Sequence, residues 1–159
     1  MKQRIAFIGH RNIAKQIKLR TLLLQTIKSE IDNGCNFFTM GTHGDFDDLA
    51  LSACKELRRN FPNIEIEVVI TSIHTIQPRI NERFETKITP YYDVKTVLYE
   101  IEEVHYKRQI TESNKIMIDS CDTLICYVDE NKKQSGALTA LKYAKTKGLR
   151  IINLFQQFR

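Results

Sequence analysis

Short apolar runs that each stop at a glycine, alternating with segments of helical spacing, constrain this chain more than any other feature. Ile5-Ala6-Phe7-Ile8 is closed by Gly9, and Asn36 to Met40 is closed by Gly41. Such continuously apolar runs suit strands buried on both faces of a parallel sheet. Between them Ile13, Ile17, Leu24, Ile27 and Ile31 recur at helical spacing, and Gly34 sits where a helix ends. Leu49, Ala50, Ala53 and Leu57 give a second helix, closed by Asn60 and Pro62. Residues 64–70 read as a third strand, and 107–119 as a helix with Ile110, Asn114 and Met117 on one face. Thr123 to Val128 is a strand. A helix then runs from Ser135-Gly136 to about Lys147, stopped by Gly148, and residues 149–154 form the last strand. From Thr71 to Lys87 the pattern gives loops and one short helix, and Thr96 to Ile101 a minor strand.

This alternation predicts an α/β fold: a Rossmann-like three-layer sandwich with a mostly parallel sheet flanked by helices. The 159 residues fit one domain spanning 1–159, with no repeat, linker or low-complexity segment. Cys35, Cys54, Cys121 and Cys126 show no CxxC spacing and no histidine placed for zinc, so they read as buried reduced thiols, with no metal expected. The charged start is followed by too short an apolar run for a signal peptide, and no stretch suits a membrane span. A cytoplasmic protein with no membrane partner is expected. The formal charge of +5 is mild. Basic residues are spread along helices rather than gathered into a stripe with interleaved aromatics, so DNA is not the expected partner.

In open parallel sheets ligands bind outside the carboxyl ends of the strands, so the loops there carry the candidate site. Gly9-His10-Arg11 follows the first strand. Glycine admits a close backbone approach, and arginine offers a fork for phosphate or carboxylate. A plain turn with an exposed arginine is the competing reading. Gly41-Thr42-His43-Gly44-Asp45-Phe46-Asp47 follows the second strand. Either aspartate suits a helix cap, and either suits ribose hydroxyls; both roles coexist if one caps and the other faces the crevice. Ser135-Gly136-Ala137-Leu138-Thr139 opens the last helix, where free N–H groups form an anion site. Asn114 is polar on an apolar face, for a structural hydrogen bond or a ligand contact.

These segments, in this order, resemble the SLOG superfamily, which joins the DNA-processing Smf/DprA proteins with cytokinin-activating phosphoribohydrolases. They are most similar to its small stand-alone bacterial and phage members, the YpsA/YoqJ-like proteins. The resemblance rests on Gly9-His10-Arg11, the Gly-x-x-Gly-x-Phe-Asp run from Gly41 to Asp47, Met117 to Asp122, Ser135-Gly136-Ala137 and Tyr143-Ala144. It implies a nucleotide-type ligand held by Gly9, His10, Arg11, Gly41, Thr42, Gly44, Asp45, Phe46, Asp47, Asn114, Ser135, Gly136, Ala137 and Thr139, with no cofactor. It also implies a homodimer or higher homo-oligomer.

The phosphoribohydrolase branch resembles Arg-Lys-x-x-Met and Gly-Gly-x-Gly-Thr-x-x-Glu at the two helices. Here its arginine position is Ser113, its lysine Asn114, its later glycine Leu138 and its glutamate Lys142. Leu138 is expected to narrow the phosphate cradle. Glycosidic cleavage needs charge stabilisation and a handle on water, so a binding or sensing module is expected ahead of an enzyme. The alternatives are an enzyme acting on nucleotides or nucleoside phosphates, with Asp45 or Asp47 as replacement carboxylate, and a DNA-associated protein.

Overall fold

In the computed structural model the described residues are 3–81, 86–88, 91–99, 101 and 105–158. Six strands form one parallel sheet: β1 (Arg4–Gly9), β2 (Phe37–Met40), β3 (Glu65–Ile70), β6 (Lys95–Leu98), β7 (Thr123–Tyr127) and β8 (Arg150–Asn153). Their order is β6-β3-β2-β1-β7-β8, with β1 paired to β2 on one side and β7 on the other. Four helices flank it: α1 (Gln16–Asp32), α2 (Asp45–Arg58), α3 (Tyr106–Asp119) and α4 (Gly136–Thr146). Strands β4 (Arg79–Asn81) and β5 (Thr86–Ile88) pair antiparallel in a separate two-stranded sheet. The chain is therefore a Rossmann-like α/β protein.

Period-two alternation divides the core. Ile5 and Phe7 of β1 join α1 and α2 on one face, with Phe38, Met40, Val68 and Ile125. Ala6 and Ile8 join α3 and α4 on the other, with Leu124, Cys126, Met117 and Leu141. Because β1 and β7 are covered on both faces, their sequences read as apolar runs rather than alternating ones, whereas β3 alternates through Glu65 and Glu67 before its apolar end.

Three boundaries differ from the sequence expectation. The buried stripe of α1 is Leu19, Leu23, Ile27 and Glu30, whereas Ile17 is 87% exposed and Ile13 is buried ahead of the helix. Ile27 is common to the expected and observed stripes, and Leu24 and Ile31 pack half-buried against the same core, while Glu30 takes a fully buried place. That carboxylate is buried against a bidentate Arg150, at 2.7 and 2.9 Å, so a charged residue occupies a core position. Between residues 71 and 87 lie a short 3-10 turn (Ile73–Ile76) and the β4–β5 pair, where only loops and a short helix were expected; residues 82–85 lie outside the described residues. The minor strand is Lys95–Leu98 rather than 96–101.

The expected helix stops are present. Gly34 has φ +97°, with Gly34 N–H donating to Ile31 O and Cys35 N–H to Glu30 O. Gly148, φ +72°, repeats the pattern after α4. This paired closure of a helix end requires the left-handed residue that glycine supplies. All four cysteines are free and buried, and burial pushes the Cys126 thiol up to about 12 and Cys121 to about 11. No helix among the described residues is long and apolar enough to cross a membrane.

Candidate functional site

Strand β1 is where the sheet order reverses, since α1 and α2 pack on one face and α3 and α4 on the other. At its carboxyl end lies a cavity of about 250 Å³. Ile8 to Arg11 form its floor. His43 and Asp47 form one wall, while Ile110 and Asn114 of α3 and the segment Gln134 to Ala137 form the other, with Lys132 at the rim. This is the position at which open α/β sheets hold ligands.

The wall at α4 is built around a helix start. Ser135 is the N-cap, and its Oγ accepts the Leu138 N–H at 3.3 Å. The next two amides, of Gly136 and Ala137, have no acceptor among the described residues. They sit at the positive end of the helix, in residues that line the cavity. A Cβ added to Gly136 would meet nothing within 4 Å, so the glycine leaves space for a ligand to reach the amides. Gln134, just before the cap, has φ +59°, a left-handed conformation that side chains other than glycine, asparagine and aspartate rarely adopt.

His10 locks this wall to β1. Its backbone N–H donates to Tyr127 O at 3.2 Å, extending the β1–β7 ladder. Its Nε2 accepts the Asp129 N–H at 2.8 Å, so that nitrogen carries no proton. Desolvation by burial first, and the nearby Lys132 second, hold the imidazole pKa below its ordinary value. The neutral ring therefore carries its proton on Nδ1, which lies 3.4 Å from Ser135 Oγ and donates to it. Ser135 Oγ then accepts from both His10 and Leu138, and its own O–H is left to donate elsewhere. The same tautomer bars His10 from acting as a base toward Ser135, so the pair is not an activated serine nucleophile.

The opposite wall is tied together through His43. Arg11 Nε donates to His43 O at 3.1 Å, and His43 N–H donates to Asp47 Oδ2 at 2.9 Å. The terminal nitrogens of Arg11 have no carboxylate partner among the described residues. Burial pushes the Asp47 carboxyl up to about 7, despite the His43 N–H that favours its charged form. His43 is shifted the other way, lowered by desolvation first and by the Arg11 charge second. Its Nε2 is buried without a hydrogen-bond partner.

Eight of the residues singled out from sequence line the cavity: Gly9, His10, Arg11, Asp47, Asn114, Ser135, Gly136 and Ala137. The others stand behind it or beside it. Phe46 is fully buried, stacked on Tyr127 at 6.3 Å and packed near Phe7, so its ring supports the floor from below. Gly9 is required by that ring, since a Cβ there would lie 2.7 Å from Phe46 Cβ and nearer still to the ring. Gly44 serves Arg11 in the same way, because a Cβ would lie 2.9 Å from Arg11 O. Gly41 lets Asp47 come close, with Oδ2 3.2 Å from its ideal Cβ.

Neither aspartate caps the amides of α2, whose N-cap is Gly44 with no side-chain cap. Asp45 instead accepts from Ile13 N–H at 2.8 Å and Gln16 Nε2 at 3.2 Å, fixing the entry to α1. Asp47 is the one that faces the crevice. Thr42 does not line it, and Thr139 is exposed and donates back to Ser135 O. Leu138 leaves the cradle open, because its side chain packs into the α3–α4 core. Ser113 is buried and Lys142 exposed, and neither lines the cavity.

Sequence reasoning passed over Ile8, His43, Ile110, Lys132 and Gln134 as lining residues. His43 lay inside the quoted loop, and Lys132 and Gln134 directly precede the helix start. Proximity in sequence to a strand's carboxyl end was the available signal. Among the described residues no group of three or more His, Cys, Asp or Glu side chains is placed to hold a metal ion.

Residues 8–155 match the model of the YspA SLOG family, and the chain belongs to that family. No curated protein matches it.

Proposed function

We propose, from this membership, that the crevice binds a nucleotide or nucleotide-derived phosphate ligand and that the chain works as a sensor or binding module. The observation that carries the reading is the anion-accepting wall at the sheet's switch point. Two unpaired amides at a helix N-terminus, the Ser135 hydroxyl, Arg11 and Lys132 belong to residues that line one small cavity. Amides with no internal acceptor and a positive helix end favour a phosphoryl group. Arginine adds a planar fork, and lysine a mobile charge.

The test is mass spectrometry of small molecules that co-purify with the protein, followed by calorimetric titration of nucleotides. A true ligand at a hundredfold excess over its Kd raises unfolding free energy by about 2.7 kcal/mol. No stabilisation by any phosphate-bearing compound refutes the reading.

An enzyme acting on nucleoside phosphates is the second reading, and Asp47 favours it. A carboxyl near 7 in a ligand-sized cavity is poised to carry a proton at neutral pH. The phosphoribohydrolase form of that idea lacks that branch's arginine and glutamate, whose positions hold Ser113 and Lys142. Reinstating them by substitution would bury an arginine at position 113, which is 1% exposed. We therefore expect no release of free base from nucleoside monophosphates, followed by chromatography. Turnover in the ~1–10³ s⁻¹ range would establish the enzyme reading instead. Purified as a homo-oligomer or not, the protein is expected to bind DNA only weakly, with steep salt dependence marking any phosphate-backbone contact.

A further inference from the structure

The cations of this chain are spread along its length, but the acids are not. The last acidic residue is Glu130. Residues 1–130 hold 17 Lys and Arg against 19 Asp and Glu, whereas residues 131–159 hold seven Lys and Arg and no acid. The whole positive excess therefore lies in the β7–α4 loop, in α4 and in the segment after it. Lys132, Lys133, Lys142, Lys145, Lys147 and Arg150 are all exposed, and Arg159 lies outside the described residues.

Folding does not ask for this arrangement. Helix α2 shows what a helix favours, with Asp45, Asp47 and Asp48 in its first turn and Lys55 and Arg58 in its last. Helix α4 has no acid in its first turn, and Lys132 and Lys133 stand just ahead of its positive end, where a cation is disfavoured. Elsewhere exposed cations meet carboxylates, as Arg20 meets Glu56 and Lys28 meets Asp32. Past Glu130, Lys145 reaches back to Glu130 at 2.6 Å, Arg150 is held by Glu30, and Lys147 lies 3.9 Å from Asp119. Lys133 and Lys142 have no carboxylate partner among the described residues. Lys132 stands at the rim of the crevice, but Lys133 and Lys142 do not line it, so a ligand there does not account for them.

The chemistry of this face narrows what it can meet. Among the described residues the exposed large apolar side chains are Ile17, Tyr92, Leu98 and Ile116, none of them on α4. The face therefore lacks the apolar anchor that centres an interface between two globular surfaces. A nucleic-acid strand would want many phosphate contacts and an aromatic platform for its bases. Tyr143 is the one aromatic residue of α4. Its ring centroid has Lys147 Nζ at 5.3 Å and Lys115 Nζ at 5.7 Å, and its hydroxyl donates to Asp119 at 2.8 Å, so the ring is not free to stack on a base. Lysine brings a mobile point charge without the fixed fork that arginine offers to phosphate. Such charges suit carboxylates carried on an equally flexible chain.

We infer that α4 and the loop before it present a docking surface for an acidic, extended segment of a partner protein, held through Lys133 and Lys142. The surface is separate from the crevice, and the inference stands whatever the crevice binds.

Fluorescence anisotropy with a labelled decaglutamate peptide tests it. The peptide should bind at low salt, with an affinity that falls as salt rises. Lys133→Glu with Lys142→Glu should weaken binding by at least about tenfold, because each reversal removes an attraction and adds a repulsion. Lys18→Glu with Lys28→Glu makes the same change in net charge on α1, across the sheet, and should shift the affinity by no more than about threefold, since screening limits its reach. Circular dichroism checks that the variants are folded. Should the reversed α4 protein fail to fold, Lys133→Gln with Lys142→Gln takes its place, with a loss of at least about threefold. An unmodified protein that does not bind the peptide overturns the inference. Equal losses in the α4 and α1 variants overturn it too, because binding would then follow net charge alone. Tighter binding of an oligodeoxythymidylate of about the same charge would overturn it in favour of a nucleic-acid surface.

Discussion

Replacing Asp47 by asparagine should make the protein more stable at pH 8 and leave it unchanged at pH 4. Burial raises the carboxyl from its ordinary 3.8 to about 7, so the folded state holds this proton more tightly than the unfolded state does. Between pH 4 and pH 7 the folded chain therefore binds more protons at this site, and stability falls as pH rises through that window. Above about pH 7 the full penalty applies. A displacement of that size corresponds to a ceiling of about 4 kcal/mol at 1.36 kcal/mol per pKa unit. Asp47 keeps partial access to the open crevice, where water screens its charge, so about half that figure is expected. Asparagine is nearly isosteric, still accepts the His43 N–H and never ionises. Urea denaturation at pH 8 should show the variant about 2 kcal/mol more stable, and the same measurement at pH 4 should show the two proteins alike. A variant equal to or weaker than the parent at pH 8, or a gain independent of pH, would falsify the assignment of a desolvated carboxyl.

Arg11→Ala should weaken inorganic phosphate binding by about 1.5–3 kcal/mol, the range for hydrogen bonds to charged groups; calorimetry showing unchanged affinity in a folded variant removes Arg11 from the site. Gly9→Ala should cost about 1–3 kcal/mol of stability through overpacking against the Phe46 ring. Denaturation midpoints that coincide with the parent's would show that the floor is not tightly packed. Gln134→Gly should add about 0.5–1 kcal/mol, since relief of a left-handed side-chain conformation outweighs the extra entropy of a glycine in the unfolded chain. Destabilisation by that change would mean the Gln134 side chain makes an unrecognised contact.

The parallel sheet was legible because covering a strand on both faces removes alternation and leaves runs such as residues 5–8 and 124–128. The helix ends were legible because Gly34 and Gly148 answer a local geometric need. The place of Glu30 in the α1 stripe was not legible because hydrophobicity carries no information about pairing. Glu30 enters the core only through Arg150, which is 120 residues away. The β4–β5 pair was missed because three-residue strands offer too few positions to establish a period.

The site followed the same division. Its location came from topology, and Arg11, Asp47 and Ser135 came with it. Phe46 and Gly9 were drawn from the same loops but turned out to pack on one another, because a glycine beside a strand end serves close packing as readily as ligand approach. His10 was the least legible. Its tautomer depends on the Asp129 amide, 119 residues onward, and no local pattern encodes that bond.

The division of the core into two clusters has a consequence for cooperativity. One wall of the crevice, Arg11, His43 and Asp47, hangs from the layer of α1 and α2; the other, Asn114 and Ser135 to Ala137, hangs from the layer of α3 and α4. Each layer has its own packed interior, so each is a unit able to open by itself. The His10 side chain reaches from β1 to the second wall, bonded to the Asp129 N–H and to Ser135 Oγ. A ligand seated in the crevice touches both layers at once and is lost when either opens. Occupancy would therefore raise the opening free energy of both layers together.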